Sequence, residues 1–429
     1  MLLEFRLENY RSFREAQTLS MIASADKTDL RTHAVPTKFG DAKQVLRTAV
    51  MYGPNASGKS NIFKGLQCLQ LLVLHSHAAG LSSPVAGIVP FRLDNDSSQH
   101  PTEIEVTFIV DQVRYQYGIT ADNSRVLEEY LYVYQSIKPQ RWFHRRFDEQ
   151  TQDYHYDFSS NFKGSKQLWV SATRQNSLFL SVAIHLNSDS LKPIYHWFAE
   201  KLVIINETTP LNSQFSVNLI KSKPDGGRLV PFLQSADIQI TSIEVETKQI
   251  PAFRVNLDSE KGVVAQGGVL QDFDEVRFVH QAGNALVKFD PFDESTGTRN
   301  LFALAGPILH SLDNGCVVLI DELEKTLHTN LARAIVRSFV DPKANKSNAQ
   351  LIFTSHNTTL LDEYGLFRRD QIWFLEKNRD RESSLIPLTD FSPRKDEALA
   401  KGYLRGRYGA IPFIEQLNTE CENGDQHAK

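Results

Sequence analysis

Residues 53–60 read GPNASGKS, a complete G-x-x-x-x-G-K-[ST] pattern. No other feature of the chain narrows its fold as much, because this loop works only between a buried strand and a helix. Both flanks are legible. Residues 45–52, VLRTAVMY, read as a strand buried at its end. Ile62, Phe63, Leu66, Leu69, Leu72 and Val73 then recur at helical spacing. Gly53 and Gly58 let the backbone wrap closely, so successive N–H groups face one anion. Lys59 adds a mobile cation for β- and γ-phosphates, Ser60 offers a hydroxyl to Mg²⁺, and the helix start adds its positive dipole end. The candidate phosphate-contacting set is Gly53, Pro54, Asn55, Ala56, Ser57, Gly58, Lys59, Ser60 and Asn61.

Three later segments carry chemistry that fits such a loop. CVVLIDELEKTLH, residues 316–328, places four apolar residues before Asp321-Glu322. The apolar run reads as a buried parallel strand, and the carboxylates lie at its C-terminal edge, where α/β sheets bind ligands. Asp321 suits Mg²⁺ through water, and Glu322 suits a general base for an attacking water. QLIFTSHN, residues 350–357, delivers His356 at the end of another buried strand, placed to bond a γ-phosphate or the lytic water. ESTGTRN, residues 294–300, sets Ser295, Gly297 and Thr298 at the start of a helix with an apolar face. It reads either as an ordinary N-cap or as a second anion site, one that a dimer closes onto the other subunit's phosphate.

Residues 2–8 alternate as a strand, and 103–119 alternate through a turn at Asp111-Gln112. With 126–135, 141–147 and 152–158 they predict a β-meander. Residues 165–205 read as helical, 210–235 as a Pro- and Gly-bearing loop, and 238–247, 251–256, 275–280 and 285–289 as strands. A helix is expected over 299–312, strands at 316–320, 350–354 and 371–376, and helices near 330–340 and from 397. The fold class is therefore α/β, a P-loop core split by an insert of ~150–180 residues, larger than an ordinary loop. Its expected divisions are 1–90 (first part of the core), 91–160 (β-rich lobe), 161–270 (helical and β insert) and 271–429 (second part of the core).

The chain has 429 residues, 41% hydrophobic and 23% charged, so a folded core is expected. Lys+Arg number 47 against 51 Asp+Glu, which excludes coating DNA through bulk charge. RWFHRRF, 141–147, mixes Arg141, Arg145 and Arg146 with aromatics; a half-buried strand with a basic side is the plainer reading, and DNA stays open as a partner. Cys68, Cys316 and Cys421 are far apart, which suits a reducing compartment. The charged N-terminus lacks a signal-peptide pattern, and the apolar patch Leu66–Leu74 is too short to span a bilayer, so no membrane partner and a cytoplasmic location are expected.

With these four motifs in order, the chain resembles the ABC-type ATPase heads of the SMC/RecF/OLD group. GPNASGKSN resembles Walker A, VVLIDELE Walker B, ESTGT a divergent ABC signature and TSHN the switch-histidine segment. The opening LLEFRLENYRSF is similar to the start of those heads, which implies that Arg11 and Ser12 lie near the nucleotide. Size, layout and the segment KGYLRGRYGAIPF (401–413) are similar to RloA/AbiLii-type and AriA-type AAA-family defence ATPases. The resemblance implies an ATPase with ATP and Mg²⁺ as cofactors, a homodimer or higher homo-oligomer, and a role in phage defence. It also implies a Q-loop glutamine at the metal, for which Gln175 is the candidate, and a D-loop at EKTLH. OLD-type nucleases continue into a carboxylate-rich Toprim domain, but Asp390, Asp396 and Glu397 form no DxD site. A nuclease, Toprim-like or other, is therefore expected on a separate effector protein. The alternative is a RecF-like DNA repair ATPase; coiled-coil arms are excluded by the lack of heptads.

Overall fold

The computed structural model describes residues 1–136, 138–209, 211–222, 227–258, 262–325, 327–394 and 397–411, with backbone alone over 252–269. Pro210, Pro224, Gly226, Thr326, Asp396, Pro412, Phe413 and Cys421 lie outside the described residues.

The N-terminal strands are β1 (Leu2–Glu8), β2 (Gln17–Ser20), β3 (Ala34–Pro36), β4 (Gln44–Leu46) and β5 (Thr48–Tyr52). The meander is β6 (Thr102–Val110), β7 (Val113–Ala121), β8 (Val126–Tyr134), β9 (Gln140–Asp148) and β10 (Asp153–Phe158). Then come β11 (Leu202–Ile205), β12 (Ser242–Asp258), β13 (Gly262–Ala282) and β14 (Ala285–Phe289). The chain continues with β15 (Val317–Ile320), β16 (Gln350–Thr354), β17 (Ile372–Lys377) and β18 (Ser383–Pro387). The helices that matter here are α1 (Lys59–His75), α2 (Gln214–Ser222), α3 (Leu229–Ser235), α4 (Thr296–Asn314) and α5 (Thr329–Val340).

Two large sheets result. One is antiparallel, in the order β10-β9-β8-β7-β6-β1-β2. The other runs β11-β15-β16-β5-β17-β18 and is parallel except for the β17–β18 pair. Helix α1 lies between them. Its Ile62, Phe63, Leu66 and Leu69 share one core with Phe5, Leu7 and Val106 of the antiparallel sheet and with Ala49, Met51 and Leu319 of the parallel one. The other face of the parallel sheet, including Val50, Tyr52, Val318 and Phe353, packs on Leu304 and Ile308 of α4 and Ile335 and Val336 of α5. These strands are covered on both faces, which is why they read as continuous apolar runs. Each fully buried Leu, Ile or Phe is worth about 1.5–3 kcal/mol.

The meander forms as its alternation predicts. Asp111 and Gln112 have φ of 49° and 61°, the doubly left-handed turn that matches strand twist, reached here without glycine. Elsewhere tertiary pairing overrides local pattern. Residues 202–205, expected to be helical, form β11, because LVII pairs along β15. The expected loop 210–235 holds α2 and α3, with Pro231 tolerated in the first turn of α3. The expected strand 45–52 is broken at Arg47, between β4 and β5. The sheets also cut across the expected divisions: β1 belongs to the antiparallel sheet, and β11, inside 161–270, belongs to the parallel one. Strands β12 and β13 form a single long hairpin that crosses residue 270. Among the described residues no helix is long and apolar enough to cross a membrane.

The basic meander strand is corrected in part. Arg141 and Arg146 are exposed, but Arg145 is fully buried. Its guanidinium donates to Ser177 O at 2.6 Å and Arg174 O at 3.0 Å, stacks on Tyr154, and lies 3.6 Å from the buried Glu129 carboxylate. Glu129 in turn accepts from Tyr117 Oη and from the N–H groups of Phe179 and Leu180. Burial raises the Glu129 pKa, against the opposing pull of Arg145. Arg145→Leu leaves that carboxylate unpaired and is expected to lower stability by about 3–5 kcal/mol in chemical denaturation. A loss under about 1 kcal/mol would show that the pair does not hold the lobe.

Candidate functional site

In the parallel sheet Ile320 is level with Phe353, and Thr354 with Met51. The C-terminal ends of β15, β16 and β5 therefore form one edge. Residues 321–322, 355–356 and 53–58 leave the sheet there, so three separate stretches of sequence converge.

The 53–58 loop is a cradle of backbone. Ala56 (φ 62°) and Gly58 (φ 108°) are left-handed, which turns successive N–H groups to one side. A Cβ on Gly58 would lie 2.6 Å from Ser383 Oγ and 2.8 Å from Ser12 Oγ, and one on Gly53 would lie 2.5 Å from Leu375 O. Only glycine fits either position. Lys59 opens α1 and is buried. Its ammonium folds back onto the loop, donating to Gly53 O at 2.7 Å and Pro54 O at 3.0 Å. Burial lowers its pKa, and Asp321, Glu322 and Glu324 pull the other way. Three nearby carboxylates thus favour a charged lysine facing their edge.

One hydroxyl ties the Asp321 carboxylate to the Glu322 backbone. Thr354 Oγ1 donates to Asp321 Oδ1 at 2.7 Å and accepts from Glu322 N–H at 2.7 Å. Glu322 is itself left-handed, φ 54°, which is uncommon for a residue with a side chain. Its Oε1 lies 3.7 Å from His356 Nε2. The His356 N–H donates to the Glu324 carboxylate. Burial, then the Lys59 charge, pushes the His356 pKa down and favours the neutral imidazole, although Glu322, Glu324 and Asp321 act against this.

The remaining sequence candidates divide. Asn61 Nδ2 donates to Ser12 Oγ at 2.9 Å, which brings the N-terminal turn against the loop. Arg11 instead bonds Tyr10 Oη at 3.2 Å, so Ser12 is the residue of that pair in contact with the cradle. Ser295 caps α4, its Oγ accepting from Thr298 N–H at 3.1 Å. Ser295 and Gly297 are exposed, and among the described residues Ser295, Gly297 and Thr298 make no hydrogen bond to the loop or the carboxylates. Gln175 is a correction. Its neighbours Arg174 and Asn176 bond Ala79 O and Gly80 O, past the far end of α1. A 17-residue helix puts that end about 25 Å from Lys59. Gln175 O instead accepts from Val126 N–H in the meander, so the residue cannot serve a metal at Ser60.

The sequence profile of a family described as "AAA domain, putative AbiEii toxin, Type IV TA system" matches residues 49–362, from the strand before the loop to beyond His356. The chain belongs to this AAA-domain family. No curated protein sequence matches it significantly. Solved structures similar to it include the SMC head domain from Thermotoga maritima (TM-score 0.39, 12% identity, 90% of this chain and 98% of that one). An Smc head bound to the C-winged helix domain of ScpA scores 0.38 at 12% identity, covering 90% of this chain and 96% of that one. The Pyrococcus furiosus Smc head with an extended coiled coil, bound to the C-terminal domain of ScpA, scores 0.37 at 12% identity, covering 95% and 99%.

As an AAA-domain P-loop ATPase, the chain has an α/β core built to bind nucleotide. Sequence reasoning overlooked several of the side chains that shape this AAA site. Thr354 closes an apolar strand in the sequence, and its hydroxyl beside the carboxylate edge is a usable signal. Ser383 has a buried hydroxyl with no partner beside Gly58, and nothing local marked it. Asn206 follows β11, and Asp321 N–H donates to Ile205 O at 2.9 Å, so Asn206 stands at the same edge. Its side chain, with that of Thr208, is held by Gln67 of α1.

Proposed function

We propose that this chain is an ATP-hydrolysing switch that dimerises on ATP and controls a separate toxic effector in bacterial phage defence, in the manner of RloA/AbiLii-type and AriA-type ATPases. The convergence of Lys59, Asp321, Glu322 and His356 at one sheet edge supports the hydrolytic part. In this reading Lys59 leaves its two loop carbonyls for the β- and γ-phosphates. The N–H groups of residues 55–60 surround those phosphates, with Gly53, Pro54 and Asn61 shaping the loop. Glu322 takes the proton of the attacking water, and neutral His356 donates to the γ-phosphate or that water.

Ser60 and Asp321 suit Mg²⁺: both offer hard oxygens, and Thr354 occupies one Asp321 oxygen while orienting the carboxylate. When bound, the ion would supply charge neutralisation at the phosphates. Ser60 would hold the ion directly and Asp321 through water, which suits an ion that keeps several of its waters.

Ser295, Gly297 and Thr298 would act across the dimer on the γ-phosphate of the other subunit. Their exposed helix N-terminus, which makes no bond to the chain's own loop among the described residues, supports that reading. Ser295→Arg is then expected to block hydrolysis while ATP affinity stays at the parental level, as measured by calorimetry and phosphate release. Full ATPase activity in Ser295→Arg would reduce the segment to a helix cap. The effector, a Toprim-like or other nuclease, is a partner protein in this reading, and the location is cytoplasmic. A RecF-like role loses Arg145 as a DNA contact, since that side chain is buried.

A further inference from the structure

Helix α4 carries the Ser295 cap and is followed by β15, which ends at Ile320, next to Asp321. It contains Pro307, which has no N–H to give the helix. Directly before the proline, a side chain from another helix enters the ladder. Ser216 Oγ, on α2, donates to Phe302 O and accepts from Gly306 N–H at 3.0 Å. Those are the two groups that an α-helix pairs with each other. Ser216 is fully buried, and the approach is close: a Cβ on Gly306 would lie 2.4 Å from Ser216 N and 2.5 Å from its Oγ. Gly306 is thus the residue that lets α2 reach the α4 backbone.

The other end of this contact leads back to the site. Eight residues separate α2 from β11, and Asn206 opens that stretch beside Asp321. A cavity of about 580 Å³ lies against the junction, lined by Ile205, Thr209, Leu211, Phe215, Pro307 and His310. The α2–α4 pair therefore borders open space alongside β11.

We propose that Ser216 is a positioning residue, a hydroxyl wedge in the Phe302–Gly306 ladder that sets the direction in which α4 presents Ser295 and Gly297. Side chains inserted into a helical ladder bend helices. The ten residues from Thr296 to Ala305 form a lever about 15 Å long, so a bend of about 20° displaces the cap by about 5 Å. A composite site tolerates far less, since misplacement by ~1 Å costs on the order of 10²-fold in rate. The catalytic half of this inference rests on the trans reading above; the geometric half does not.

The test places spin labels at Thr296→Cys and Tyr364→Cys; Tyr364 is 99% exposed. The background carries Cys421→Ser, and Cys68 and Cys316 are buried. In Ser216→Ala the inter-label distance is expected to shift by about 5 Å. In the unlabelled Ser216→Ala protein kcat should fall at least about tenfold, with ATP affinity unchanged. Ser216→Thr keeps the hydroxyl and should restore the parental distance and rate. Pro307→Ala keeps the wedge but restores an N–H toward Ala303 O, so its shift should be smaller than that in Ser216→Ala; an equal or larger shift there overturns the proposal. Should Ser216→Ala fail to fold, Gly306→Ala probes the same contact from the helix side, and an unchanged distance there also overturns it. A shifted distance with unchanged kcat overturns the positioning role. Ser295→Arg then assigns the fault: if it blocks hydrolysis, Ser216 alone was misread, and if it does not, the trans reading failed.

Discussion

Lys59→Ala is expected to abolish tight ATP binding. The lysine is buried at the head of α1, and its ammonium already sits on the cradle, bonded to Gly53 O and Pro54 O. Both carbonyls belong to the loop itself, so a phosphate group can take over the cation without moving the helix. Among the described residues no other lysine or arginine bonds the 53–58 segment. Arg11, the other cation expected near the nucleotide, is turned onto Tyr10. Alanine therefore leaves only backbone dipoles to face several negative charges, beside Asp321, Glu322 and Glu324. Calorimetry with ATP should show no saturable heat at concentrations that saturate the parent. Unchanged affinity would remove the loop from the nucleotide site.

Glu322→Gln should separate binding from hydrolysis. The substitution keeps size and a hydrogen-bonding oxygen but removes the basic carboxylate. The backbone N–H of residue 322 still donates to Thr354 Oγ1, so the local geometry is kept. Loss of a positioned general base costs roughly 10²–10⁴-fold, so single-turnover hydrolysis should fall into that range. ATP should stay bound, and a persistent dimer should appear by light scattering with ATP. Hydrolysis at the parental rate would show that another group takes the proton. Glu324 is then the first candidate, since one of its carboxylate oxygens is buried without a partner. A slow enzyme that stays monomeric with ATP would keep the base and remove the ATP-held dimer.

The two outcomes depend on different parts of the chain, and the sequence displayed those parts unequally. The cradle is one contiguous segment whose residue types are dictated by its own backbone: positive φ at Gly58, no room for a Cβ at Gly53, and a helix start at Lys59. Asp321-Glu322 and His356 were equally legible, because each directly follows an apolar run that had to be a buried strand. The period-two meander was readable for the same reason, since alternation is a local property of a half-covered sheet.

What the sequence could not express was pairing between distant segments. The LVII stretch at 202–205 becomes a strand only because β15, more than a hundred residues later, offers an edge. Gln175 had a suitable side chain, but the packing of its loop against Ala79 and Gly80 carries it to the wrong end of α1. Arg145 looked like a solvated cation until Glu129 and Tyr154, on neighbouring strands, enclosed it. Ser12 and Ser383 come from opposite ends of the chain and meet at Gly58, while Thr354 reaches Asp321 from a neighbouring strand. Residue types near one another in sequence fix the loop, the strands and the chemistry they can carry. Which side chains surround that chemistry is decided by long-range packing, because each such contact pairs residues whose own local patterns contain no trace of the other.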